Sequence, residues 1–143
     1  MSDAISAFGT LLKIGDGTVS ESFTTIAEVK DIDGPGFETD IVDVTNHSSA
    51  GAWEEDVATI LRGGEVTFDV NFVPTGATHA YDTGLIYDFL QRTRRNFQLV
   101  FPDSGNTTWQ FTAIVQAFQI AAPVAEELRA SVTLKITGQP TLA

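Results

Sequence analysis

The chain has 143 residues, of which 43% are hydrophobic, and its eight basic and nineteen acidic groups give a formal net charge of −11. That length suits one domain spanning 1–143, able to bury roughly 70% of the surface its unfolded chain exposes. The absence of cysteine excludes a disulfide framework and a thiolate metal site, and no apolar run approaches the ~18 residues of a membrane span.

The opening MSDAISAFGTLLKIGDG has no basic region ahead of an apolar core, so a soluble intracellular product is expected. Charge is uneven: residues 1–82 carry three basic and fifteen acidic groups, and residues 83–143 carry five and four. An acidic field repels nucleic acid, which argues against sequence-specific DNA binding. Two unlike halves also suit head-to-tail association, although the same charge serves solubility.

In chain order, the short runs GTLLKIG, FTTIAEVKDI and TDIVDVT read as strands separated by the turn formers GDG and DGPG. The stretch 38–57 reads as a long loop flanked by strand, crowding Glu38, Asp40, Asp43, Glu54, Glu55 and Asp56 around His47 and Trp53. After an RGG turn, EVTFDVNFV alternates strictly. Val66, Phe68, Val70 and Phe72 face one way and Glu65, Thr67, Asp69 and Asn71 the other.

A helix is expected over Asp82–Thr93, capped by Asp82 or Thr83 and packed through Leu85, Phe89 and Leu90. On that reading Phe89→Ala costs about 3–5 kcal/mol. Arg92, Arg94 and Arg95 at its end suit the helix dipole better than a phosphate site. NFQLVF adds a strand before the turn former PDSGN. In TWQFTAIVQAFQI, Trp109, Phe111, Ala113, Val115 and Ala117 share one face and Ile114 and Phe118 the other. ELRASVTLKIT sends Leu128, Ala130, Val132, Leu134 and Ile136 inward, its alternation overruling the helical look of PVAEELRA.

Catalytic patterns are weak. Asp40, Asp43 and His47 have the composition of a metal site but no HExxH-like spacing, and His79 is distant in sequence. Adjacent Glu54, Glu55 and Asp56 point in different directions, as in a solvated loop, and NHSSAG has no GxSxG.

Read in order, DIDGPGFETDIVDVTNHSSAGAWEE, RGGEVTFDVNFVP, RTRRNFQLVFPD and FQIAAPVAEELRASVTLKITGQPTL resemble the tail tube (major tail) proteins of long, non-contractile-tailed phages. The resemblance runs over roughly residues 25–142. It implies a mainly β subunit, an antiparallel β-sandwich or barrel-like body with one flanking α-helix, and no enzymatic reaction or cofactor. Six copies would form a ring, and rings would stack into a hollow tube through which DNA passes without sequence-specific binding.

The implied partners are further copies of the chain and other tail proteins (tape measure, tail terminator, tail tip), with no membrane. The implied location is the virion tail, after synthesis in the host cytoplasm. Within that picture 38–57 becomes an assembly loop, with Asp40, Asp43, His47, Trp53, Glu54 and Glu55 at the interface and Trp53 as the aromatic anchor. The alternative is a β-sandwich carbohydrate-binding module, which would need an aromatic platform from Tyr81, Tyr87, Trp53 and Trp109.

Overall fold

The computed structural model of the chain describes residues 2–17, 20–80 and 84–142. The strands are β1 (Leu11–Gly15), β2 (Phe23–Thr25), β3 (Val29–Asp33), β4 (Glu38–Asp43), β5 (Asp56–Arg62), β6 (Glu65–Asn71), β7 (Arg94–Val100), β8 (Thr108–Ala121) and β9 (Arg129–Leu142). One helix, α1 (Leu85–Gln91), lies between β6 and β7. Seven strands form one antiparallel sheet in the order β2-β1-β7-β8-β9-β6-β3, and β4 and β5 pair only with each other. The mainly β, antiparallel body with one flanking helix agrees with the sequence reading.

The sheet order forces curvature. Its two edge strands, β2 and β3, are consecutive in the chain and separated by Ile26–Glu28 alone. Four residue steps span at most about 14 Å, whereas the edges of a flat seven-stranded sheet would stand about 29 Å apart. The sheet therefore curls until its edges nearly meet. Ile26 N–H donates to Leu12 O at 2.9 Å and Asn71 N–H donates to Glu28 O at 2.9 Å, so each ladder is extended into the link and only Ala27 crosses the seam.

Ala27 is held by the β6–α1 connection. Its N–H donates to Thr78 Oγ1 at 3.1 Å, and its carbonyl lies 2.7 Å from His79 Nε2. The other ring nitrogen, Nδ1, accepts the Val73 N–H at 3.1 Å. Those partners define the neutral Nε2–H tautomer of a fully buried histidine. Glu28 adopts φ 61°, a left-handed conformation unusual for a non-glycine residue.

The concave face holds the core: Leu12, Val66, Phe68, Val70, Phe97, Leu99, Phe111, Ala113, Val115, Ala130, Val132, Leu134 and Ile136 are buried in one cluster. Phe97 and Phe111 are direct cross-strand partners with rings stacked at 5.9 Å. The alternation read from β8 holds as far as Val115. The register then shifts between Val115 and Ala117, and this bulge turns Ala117 outward and carries Phe118 onto the core.

The helix departs further from expectation. It is two turns long, Leu85 and Asp88 form its buried face, and Phe89 and Leu90 are 42% and 58% exposed. The expected caps, Asp82 and Thr83, lie outside the described residues. Arg92 ends the helix at φ 56°, and β7 then places Arg95 Nε 2.9 Å from Asp88 Oδ1. This pairing draws Asp88, rather than Phe89, inward. Burial pushes the Asp88 carboxyl above its usual value, against the pull of Arg95. Arg94 and Arg95 begin β7 just beyond the helix, and Arg95 is held there by Asp88.

Phe111 lies in the closed core and Phe89 outside it. Denaturant melting should therefore give a loss of about 3–5 kcal/mol for Phe111→Ala and less than about 1 kcal/mol for Phe89→Ala. Equal losses would contradict this placement.

Candidate functional site

The segment 38–57 is an ordered hairpin rather than an irregular loop. β4 and β5 pair through Glu38↔Arg62, Thr39↔Leu61, Ile41↔Ala58, Val42↔Val57 and Asp43↔Asp56, with a bulge between Thr39 and Ile41. Adjacent apolar residues, Ile41 with Val42 and Ile60 with Leu61, give both faces of the ribbon apolar character because neighbours in a strand point oppositely. Every residue of β5 is exposed, and Leu61 is 82% exposed. A two-stranded ribbon is marginal on its own in water, and contiguous exposed apolar surface marks an interaction site.

The turns flanking this arm fix its base. A Cβ on Gly63 would lie 2.6 Å from Ile136, and one on Gly64, at φ 72°, would collide with the Gly36 carbonyl. The DGPG and RGG turns thus meet backbone to backbone, which only glycine permits here. Phe37 packs on Trp109 with ring centroids 5.1 Å apart. Beside them opens a groove of about 620 Å³ lined by Phe37, Leu61, Arg62, Trp109 and Pro140.

Hydrogen bonds within the arm order its tip. Thr45 N–H donates to Asp43 Oδ1 at 2.8 Å, Glu55 N–H to Thr45 Oγ1 at 2.8 Å, and Ser49 Oγ–H to Glu55 Oε2 at 2.7 Å. A 3₁₀ turn, Ala50–Ala52, follows, with Gly51 and Ala52 at φ 63° and 62°. It projects Trp53, which is 77% exposed. Trp53 is therefore not packed beneath its own loop.

The six expected interface residues do not converge. Asp40 is held by Arg62 through two hydrogen bonds, Nε to Oδ1 at 3.2 Å and Nη2 to Oδ2 at 2.7 Å. Arg62 thereby lowers its carboxyl pKa. Hydrogen bonds from the Thr45 side chain and backbone lower that of Asp43. Asp40, Asp43 and Glu55 thus organise the arm, whereas His47, Trp53 and Glu54 are presented to solvent. Asp43 and Asp56 stand directly opposite, a like-charge pair unfavourable in an isolated hairpin.

Among the described residues no group of three or more His, Asp or Glu could hold a metal ion. Nor do the described aromatic residues make a sugar platform: Trp109 is half-buried against Phe37, Tyr87 is half-buried, and Tyr81 lies outside the described residues. The sequence reading passed over Arg62, Phe37 and Leu61. For Leu61 the signal lies in the paired apolar residues of DIVDV and VATIL, which break a one-sided alternation; Phe37 and Arg62 carry no such pattern.

The family described as "Lambda phage tail tube protein, TTP" matches residues 9–143. No curated protein sequence matches the chain. Among solved structures, the tail of an empty gene transfer agent particle with C6 symmetry is similar at TM-score 0.77 and 22% identity, over 98% of this chain and 99% of that one. The virion of a native gene transfer agent particle gives 0.71 and 21%, over 98% and 99%. A chain of the sixfold-symmetrised anti-feeding prophage baseplate gives 0.71 and 11%, over 100% and 97%. At these identities the likeness is one of fold.

The Asp43 turn has a defined pH response. Its folded-state pKa lies below the ordinary 3.8, so its contribution is complete above that value and lost as pH falls through the lowered one. In an NMR titration the Thr45 amide should hold its shift down to about pH 5 and move with a midpoint under the ordinary carboxylate value. A midpoint above that value would contradict the turn.

Proposed function

The chain belongs to the lambda phage tail tube protein family and is a structural virion protein rather than an enzyme; we propose that its copies close into six-membered rings that stack into the tube of a non-contractile tail, a conduit for DNA. The observation that carries this reading is the arm, an ordered hairpin whose two apolar faces are left exposed among the described residues. In a tube such a ribbon finds its cover on neighbouring subunits. His47, Trp53 and Glu54 make contacts there, and Asp40, Asp43 and Glu55 hold them in place.

The sixfold symmetry stated for two of the fold relatives supports six as the ring number. The net charge of −11 per chain, repeated around a ring, suits passage of DNA without adhesion or sequence reading. Tape-measure, tail-terminator and tail-tip proteins are the further partners on this reading, and the host cytoplasm is the place of synthesis.

Replacing Val44–Glu55 by an Asn-Gly turn keeps the Asp43↔Asp56 pairing and removes the tip. Circular dichroism melting should remain near wild type while negative-stain images lose their tubes. Trp53→Ala should weaken assembly by about 2 kcal/mol or more. Tubes of normal length and abundance from the turn replacement, or unfolding of both variants, would defeat the proposal. Sedimentation should also show assembly that depends on concentration and salt.

A further inference from the structure

We propose that the arm of one copy docks on the β8–β9 turn of a second copy, making the contact head to tail. This rests on the reading that the arm acts between subunits, and it names the receiver. The turn, residues 122–128, with the end of β8 before it, presents a second exposed apolar group: Val124 is fully exposed, and Ile120, in β8, and Leu128 are 49% and 37% exposed.

Position argues for an intermolecular contact. The arm leaves the body beside Trp109, at the start of β8, and the turn lies beyond Ala121, at its end. Twelve strand steps separate the two by about 40 Å. The exposure of all of β5 shows that the arm does not lie back along its own body. Two unlike apolar surfaces at opposite ends of one chain, both exposed among the described residues, make a heterologous contact that propagates instead of closing on a pair.

Charge favours the same occupant. Residues 38–62 contain six acidic groups and one arginine, so the arm needs a receiver that does not repel it. The two acids of the turn are already neutralised: Glu126 pairs with Arg129 at 2.7 Å and Glu127 with Lys30 at 3.0 Å. The turn is thus apolar at its tip and electrically balanced at its flanks.

Because Val124 is fully exposed, Val124→Asp should melt like wild type while placing a negative charge against the acidic arm. We expect at least a tenfold loss of tubes from Val124→Asp and near-normal tubes from Val124→Lys. The chain has no cysteine, so a Val124→Cys protein mixed with a Glu54→Cys protein should form the mixed disulfide in tubes and not in dispersed subunits. Normal tubes from Val124→Asp, or tubes without that disulfide, would overturn the proposal. If removal of the arm tip still blocks tubes in that case, the arm reading stands and only the receiver is wrong; if tubes survive removal of the tip, both fail.

Discussion

The outermost strands of the large sheet are joined by three residues, and the body takes its shape from that short link. A seven-stranded sheet whose edges are tethered so closely cannot stay open. Its concave side becomes a closed apolar interior, its convex side a polar shell. The crossing residue, Ala27, has no strand partner at the seam, so its amide and carbonyl must be satisfied from elsewhere. Thr78 and His79 do this, and His79 at the same time accepts the Val73 amide. The connection leading to the helix is thereby tied to the seam, and the helix sits where that connection delivers it. Closure also shields most strand edges, which an isolated sheet would leave open to random pairing.

Closure leaves out the β4–β5 hairpin. With β3 and β6 already neighbours in the sheet, the chain between them has no position to occupy and must leave the body as a ribbon. The glycines at both ends permit this, since the entering and leaving backbones approach closer than any side chain would allow. An arm held at such a tight base can project rigidly, with its tip ordered by its own hydroxyl and carboxylate groups rather than by packing.

Much of this was legible in the sequence, and the failures have physical causes. Strict alternation in EVTFDVNFV and ASVTLKIT identified strands whose inward residues are the ones observed, because one wet face and one dry face leave a period of two; Leu128, expected inward with them, lies before β9 in the turn and is 37% exposed. Phe118 was misplaced because a bulge shifts alternation by one residue without a composition signal. Phe89 was misplaced because a buried ion pair took the inward position of a two-turn helix, and Arg95, the partner that decides this, lies seven residues beyond Asp88. His79 could not be recognised as the clip at the seam, since its partners are backbone groups as far away as Ala27. For the arm, the informative feature is apolar rather than acidic: two adjacent pairs, Ile41–Val42 and Ile60–Leu61, put apolar side chains on both faces of their strands.

The arm as it stands on a single subunit carries two unfavourable features at once. Apolar side chains face water on both sides of the ribbon, and Asp43 opposes Asp56 across it. Neither is needed for closure of the body, which is complete without the hairpin. Both change sign against a suitable neighbour, where apolar area leaves water and a less acidic environment relieves the repulsion. The tip's hydrogen bonds matter here because ordering a loop upon binding would set a conformational cost against the contact. With Thr45, Ser49 and Glu55 already bonded in the free subunit, that cost falls within folding of the subunit, and the exposed Trp53 is presented in a fixed position. On the proposed assembly, the arm is a surface whose stable form lies between subunits, built on a body that closes without it.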